Sequence, residues 1–230
     1  MMTIANKQVN PSQEIDYLNP DVPSELPWVD IPLIKATPKS LQGYGVLVED
    51  YHDFPIEIVT WPAQGWRLVD PGTGNQGGTT SGTFDFWWSG DILYGKNQAV
   101  SDQYLLGWSK NPGEAKANSL EKSNPKPNRV LLWHANYHPD GGQLFFPLDK
   151  TPFVVPLALP GDDIKPEDFV AFYLEGDRGL YIHPNVWHEG VFPLAEKASF
   201  YDEQGKVHAR ISCNIAQEFG VFLNVPLTRP

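Results

Sequence analysis

One rhythm constrains this chain more than any other feature. Between residues 129 and 227, short apolar or alternating runs follow one another: RVLLWHANYH, QLFFPL, PFVVPLAL, FVAFYLEG, GLYIH, ARISCNIA and GVFLNVPL. Each is bounded by Pro, Gly, Asn or Asp. Runs of this length between turn residues fit strands, whereas an amphipathic helix needs a longer uninterrupted period of 3.6. The 22 Pro and 20 Gly among 230 residues carry the same message. Many short strands at regular spacing predict an all-β chain, a sandwich or small β-barrel of the jelly-roll kind. Only GDDIKPEDF reads as a helical turn, with an Asp ahead of it as a cap.

The first half is less regular. Residues 1–30 are polar and punctuated by proline (NPSQ, NPDVPSELP), which predicts an extended N-terminal arm. Its Tyr17, Leu18, Leu26 and Trp28 are apolar enough to dock on the body or on a partner. GYGVLVED, IEIVTWP and GWRLVDP read as strands, and FDFWWSGDILYG as strand, turn and strand. PGTGNQGGTTSGT, residues 71–83, is expected to be a loop. Its glycines follow neither the dinucleotide nor the Gly-Lys-Ser/Thr spacing, so phosphate binding is not indicated. Residues 109–128 are expected to form a second, polar loop. No internal repeat is visible.

The formal net charge of -11, without a basic run, argues against nucleic acid and against an anionic membrane surface. A small anionic substrate remains possible, since it needs only one or two local cations. The single cysteine, Cys213, excludes an intramolecular disulfide and a Cys-rich zinc site, and its apolar alternating context predicts burial. The N-terminus lacks an apolar signal region and no run is long enough to span a bilayer, so the expected location is cytoplasmic.

The stretch NYHPDGGQLFFPLD, residues 136–149, concentrates the chemistry. Pro-Asp-Gly-Gly is a turn signal. If it joins two antiparallel strands, His138 and Gln143 stand opposite each other, and Asn136 points the same way because strand side chains alternate. A second cluster, GLYIHPNVWHEGVFPL, contributes His183 and His188. By analogy with small-barrel metal sites, the set Asn136, His138, Gln143 and His188 would surround a divalent ion (Ni, Mn, Zn or Fe), held chiefly by His138, Gln143 and His188, with His183 near. Two imidazoles and two amides make a weak donor set, so such an ion would bind loosely. His134 and His208, isolated on strands, read equally well as hydrogen-bonded core. Glu189 adjoins His188 but should face the opposite side of a strand.

These residues also resemble a family. HPDGGQLFFPLDKTPFVV, followed by AFYLEGDRGLYIHPNVWHEGVFPL, is similar to the ureidoglycolate lyases, cupin-fold enzymes of ureide catabolism and allantoin degradation. The pattern is carried by His138, Pro139, Gly141, Gln143, Phe145, Pro147, Leu148, Pro152, Phe153, Gly179, His183, Trp187 and His188. IPLIKATPKSLQGYGVLVED looks like that family's opening. The convincing similarity covers about residues 129–194. The arm, the Gly/Thr-rich segment and the loop at 109–128 are extra, and Asn136 stands where the family often has an acidic residue. The resemblance implies a single enlarged cupin-like barrel domain over residues 31–230, and a homodimer.

It further implies a carbon-nitrogen lyase releasing urea and glyoxylate from ureidoglycolate. A base takes the hydroxyl proton as C–N breaks, and an acid protonates the departing nitrogen. Imidazoles suit both roles near neutral pH. His183 and His188 are the candidate base and acid, in either order, with His138 orienting the substrate or holding a metal. Gln143 and Asn136 are candidate substrate contacts. Lys150, Arg178 and Tyr181 are further candidates, the two cations as partners of the carboxylate. Two other readings stay open: a metal-dependent cupin dioxygenase or isomerase, and a non-catalytic binder of a sugar or other small ligand.

Overall fold

The computed structural model describes residues 15–59, 65–74, 76–117 and 126–230. Among these residues, 17 strands form two mixed sheets. The larger sheet runs, edge to edge, β1 (Trp28–Asp30), β17 (Phe222–Pro226), β7 (Arg129–Leu132), β6 (Asp102–Trp108), β5 (Ile92–Asn97), β4 (Gln76–Ser89), β15 (Lys197–Val207), β9 (Gln143–Pro147), β12 (Gly179–Ile182) and β3 (Gly45–Val48). The smaller runs β16 (Ile211–Asn214), β8 (His134–Tyr137), β13 (Trp187–His188), β10 (Phe153–Ala158), β11 (Val170–Leu174) and β2 (Leu33–Lys35), with β14 (Phe192–Pro193) also on β10. The expected β-rich chain is present. Both strand paths are open, so the architecture is a two-sheet sandwich rather than one closed barrel.

A buried apolar cluster holds the body together, with Phe145, Phe153, Phe172, Trp187 and Phe200 among its largest side chains. All six residues of β10 are buried, as expected of an apolar run covered on both faces. Its second neighbour is interrupted: β13 pairs with Leu157 and Ala158, β14 with Phe153 and Val154. The interruption coincides with Pro156, which has no N–H to donate. Here the intervening Glu189, Gly190 and Val191 leave the ladder.

Several expectations change. Residues 76–83 belong to β4 rather than to a loop. Most of them pair with β15, which presents a long partner, and Gly82 passes so close to Ala99 that an added Cβ would lie 2.7 Å from its backbone nitrogen. Cross-strand pairing here overrides the low strand preference of glycine. β6 and β15 are strands that polar sequence concealed. GWRLVDP forms no strand, because Arg67 is turned inward to a bidentate pair with Glu218. The end of IEIVTWP and residues 118–125 of the polar loop lie outside the described residues, as do residues 1–14 of the arm; Ile58 forms one bridge to Gly141.

The expected helical turn is a single 3-10 turn, η1 (Pro166–Asp168), in which the Asp168 carboxylate accepts from Lys165 N–H at 2.9 Å. ARISCNIA is only half strand. It ends at Asn214, whose side chain accepts from Gln217 N–H at 3.0 Å and so caps α1 (Ile215–Phe219), closed by Gly220 at φ 67°.

The described part of the arm docks on its own body. Leu105 N–H donates to Tyr17 O at 2.8 Å, and Ile15, Tyr17, Val22 and Leu26 pack on the cluster containing Trp108 and Trp133. Leu18 and Trp28 remain largely exposed.

Candidate active site

Strand alternation builds one wall of the site. Asn136 is registered against His188 on one side and Ser212 on the other, so the three share a face of the smaller sheet. Trp187, one residue earlier, points into the core, and Tyr137 packs edge-on against it. The larger sheet supplies the opposite wall through Gln143, registered with Gln204. The Pro-Asp-Gly-Gly link is therefore not a hairpin. It carries the chain from one sheet to the other, so that His138 and Gln143 line one cavity between the sheets. Asp140 holds the link by accepting Ala209 N–H at 2.9 Å on both carboxylate oxygens.

Between these walls lies a cavity of about 480 Å3. It is lined by Asn136, His138, Gln143 and His188 as expected, and also by Glu189, Gln204, Lys206, His208, Arg210 and Tyr17. Four expected residues lie elsewhere. His183 packs against Tyr181 at the end of β12, and its N–H bonds Tyr44 O. The Tyr181 hydroxyl accepts Glu57 N–H at 3.0 Å, and its ring fills the place that a Cβ on Gly142 would need. Arg178 pairs with Glu49 at 3.5 Å on the surface, and Lys150 is exposed with φ 57°.

Two of the three cavity imidazoles, His138 and His188, are held by the main chain. His138 Nδ1 lies 2.9 Å from Ala209 O and His188 Nδ1 lies 2.8 Å from Val186 O. A carbonyl oxygen only accepts, so each Nδ1 carries the hydrogen; Nε2 is the remaining ring atom, and on His188 it faces Gln143 Oε1. The His138 and His208 rings stack at 3.4 Å, and His138 and His188 lie 5.0 Å apart. Burial holds the pKa of His138 well below the usual histidine value, reinforced by His208 and His188. Burial also lowers His188 and takes His208 down to about 3. These rings are neutral at pH 7 unless a partner supplies a compensating charge.

Charge enters from residues that the linear motif did not reveal. Glu189 lines the cavity and accepts from His134 Nδ1 at 2.6 Å. It escapes the alternation rule because the ladder ends at His188. Arg210 donates from Nε to Asp70 at 2.8 Å and lies over the Tyr17 ring at 4.5 Å. Ser212 donates to the same Asp70 oxygen at 2.6 Å. On β15, Asp202 is wholly buried; it accepts from Gln143 Nε2 at 2.7 Å and from Asn97 Nδ2 at 3.0 Å. Burial raises its pKa to about 7, against the lowering effect of those two bonds. Asn136 Oδ1 and His208 Nδ1 are buried without a hydrogen-bond partner among the described residues.

The donor set does not suit a divalent ion. His188 Nε2 is engaged by Gln143 Oε1 at 3.1 Å, and His138 lies flat on His208. Among the described residues, no three His, Cys, Asp or Glu side chains gather in a group able to hold a metal. Cys213 is buried as expected, its thiol donating to Glu218 at 3.3 Å.

The family model described as Ureidoglycolate lyase matches residues 94–215, which is more than half of the chain. The chain belongs to the ureidoglycolate lyase family. Among its relatives, the ureidoglycolate lyase of Azotobacter vinelandii is 38% identical over 63 residues, 27% of this chain and 38% of the relative. That of Escherichia coli O139:H28 is 37% identical over 84 residues, covering 36% and 51%. Ureidoglycolate lyase 2 of Rhizobium meliloti is 33% identical over 103 residues, covering 44% and 60%. The chain thus spans about half the length of the curated relatives it matches. The family match contains His138, Gln143, His188, Glu189, Asp202 and Arg210, whereas Tyr17 and Asp70 precede it. Among the described residues no helix is long and apolar enough to cross a membrane.

Proposed function

We propose that this protein cleaves ureidoglycolate, a carbinolamide, to glyoxylate and urea by acid-base catalysis within the cavity between the sheets. The observation that carries this reading is the meeting of His138 and His188, each tethered through Nδ1 to a main-chain carbonyl, in one cavity with Arg210. Arg210, with Lys206 also on the cavity lining, receives the substrate carboxylate in place of the expected Lys150 and Arg178. Arginine suits this role because its planar fork matches a carboxylate while Nε stays on Asp70. Asn136 Oδ1, buried without a partner among the described residues, accepts a ureido N–H.

In the proposed step, His138 Nε2 takes the proton of the substrate hydroxyl. The oxygen lone pair forms the new C=O, and the C–N bonding pair leaves on nitrogen. That nitrogen takes a proton from the His188 side of the cavity, giving urea. His138 thus replaces His183 in the pair expected from sequence. A low histidine pKa weakens the base, but it also keeps the ring unprotonated and able to accept at neutral pH.

The test is release of urea and glyoxylate from racemic ureidoglycolate by the wild type and by His188→Ala. Turnover by the wild type that falls at least about a hundredfold in the variant supports the reading. Absence of turnover by the wild type, or an unimpaired variant, overturns it.

A further inference from the structure

Asp202 and His188 sit in different sheets and are joined by a single side chain. Asp202 Oδ2 accepts from Asn97 Nδ2 at 3.0 Å, and Oδ1 lies 2.7 Å from Gln143 Nε2. The other end of the same amide, Gln143 Oε1, lies 3.1 Å from His188 Nε2. The chain ends at His188 Nδ1, 2.8 Å from Val186 O. Asp202, Gln143 and His188 are all buried, at 0%, 5% and 4% exposure, so each polar atom of the chain depends on the next for its hydrogen bond.

Counting donors along this chain restricts its protonation. Val186 O only accepts, so His188 Nδ1 carries a hydrogen. With a carboxylate at Asp202 and the amide nitrogen turned toward it, Gln143 Oε1 faces His188 Nε2. That contact is a hydrogen bond only if Nε2 is also protonated. Turning the amide over offers the alternative. Protonated Asp202 then donates to Gln143 oxygen, and Gln143 N–H donates to the Nε2 lone pair of neutral His188. Both fully bonded arrangements hold the same single proton, on His188 in one and on Asp202 in the other. Removing it leaves two acceptors face to face, whichever way the amide turns.

We infer that Asp202, Gln143 and His188 form a relay that retains one proton, with Asp202 a positioning residue that sets, through the Gln143 amide, when His188 can donate. The inference rests on the proposed lyase reading for its catalytic role, though not for the relay itself. The acid step then draws on this stored proton: His188 gives it to the departing ureido nitrogen, which leaves two acceptors face to face in the relay until a proton returns. Protonated His138, its ring centroid 5.0 Å from that of His188, returns the proton taken from the hydroxyl. Atoms and charges balance over the cycle.

The surroundings are consistent with sharing. Burial opposes charge at both ends, raising Asp202 and lowering His188, which brings two ordinarily distant proton affinities together. The groups acting on His188 are Glu189 beside it, His134 on β8, and the His138 and His208 rings. Those acting on Asp202 are Asn97 on β5, Gln143 on β9 and the adjacent Glu203.

The experiment is an imidazole nitrogen NMR titration of the histidine-labelled full chain, read beside the pH profile of ureidoglycolate turnover. Asp202→Asn imitates protonated Asp202 without a proton to share. Its amide donates to Gln143, which donates to His188 Nε2 and holds the ring neutral. The expected result is a fall of about one pH unit or more in the apparent pKa of His188. In turnover, kcat should fall by about tenfold or more with KM nearly unchanged. Gln143→Leu cuts the relay, so adding Asp202→Asn to it should no longer move His188. An unshifted His188 in Asp202→Asn, or an equal shift in the Gln143→Leu background, overturns the relay. Because the titration needs no substrate, a wild type that releases no urea overturns the lyase reading alone.

Discussion

His188 and Gln143 meet 3.1 Å apart although they belong to different sheets, His188 to β13 and Gln143 to β9. This contact spans the cavity and brings the two histidine-rich motifs into one site. The same relationship separates His188 from His183, which is only five residues earlier but stands at the end of β12 in the other sheet.

That separation yields the first prediction. His188→Ala is expected to lower kcat for ureidoglycolate by about two to four orders of magnitude. His183→Ala, which removes a ring packed on Tyr181 outside the cavity, should retain turnover within about threefold. Steady-state assays of urea release compare the two. Equal losses would return His183 to the reacting pair.

The cations are predicted to differ in the same way. Arg210→Gln should raise KM by about tenfold or more, because the carboxylate loses a charged, forked partner. Lys150→Ala and Arg178→Ala, both at the surface, should leave KM unchanged. Arg210→Lys should rescue only in part, since one ammonium cannot bond Asp70 and the substrate with the same geometry.

Stability should respond to pH from two opposed sources. The pKa of His208 falls from 6.5 to about 3 on folding. The unfolded chain therefore binds the extra proton first, and stability is lost as pH drops from about 6.5 toward 3. Asp202 moves the other way, from 3.8 to about 7. Its contribution is complete below pH 3.8 and is lost as pH rises through 7. Thermal melts should therefore show His208→Gln less sensitive to acid than wild type. Asp202→Asn should be more stable than wild type above pH 7, converging with it near pH 4. Parallel curves for each variant and wild type would refute these assignments.

Tyr17 ties the arm to the site, with its ring against Tyr104, His134 and the Arg210 guanidinium. Tyr17→Ala is expected to cost roughly 2 kcal/mol of stability, as for a partly buried aromatic, and to raise KM by loosening Arg210. Tyr17→Phe keeps the ring and should leave KM near wild type. Urea denaturation and steady-state kinetics report the two effects.

Much of the site is legible in the linear chain. A turn signal and strand alternation group Asn136, His138 and Gln143, the analogy with small-barrel sites adds His188, and all four line the cavity. Asp202 and Arg210 carry no such mark. Each lies in a polar-looking stretch, YDEQGKVHAR, where a buried acid is indistinguishable from an exposed one. The alternation of Asp202, Gln204 and Lys206 is the available signal, and it gains meaning only beside Gln143. Glu189 defies its expected placement because alternation does not extend past the end of a two-residue strand.

Local sequence suffices for the β-rich class, the positions of most short strands in the second half, the family motif and the exclusion of a disulfide framework. Those properties reside in periodicity, turn chemistry and residue types within a few positions of each other. Which sheet each strand joins is settled only by long-range packing, and with it that His138 faces Gln143 across a cavity rather than across a hairpin. The same packing brings Tyr17 to Arg210, 193 residues away, and buries Asp202 against an amide. Burial and hydrogen-bond parity depend on neighbours distant in the chain, so the proton affinities that would govern the chemistry arise only once the two sheets have packed.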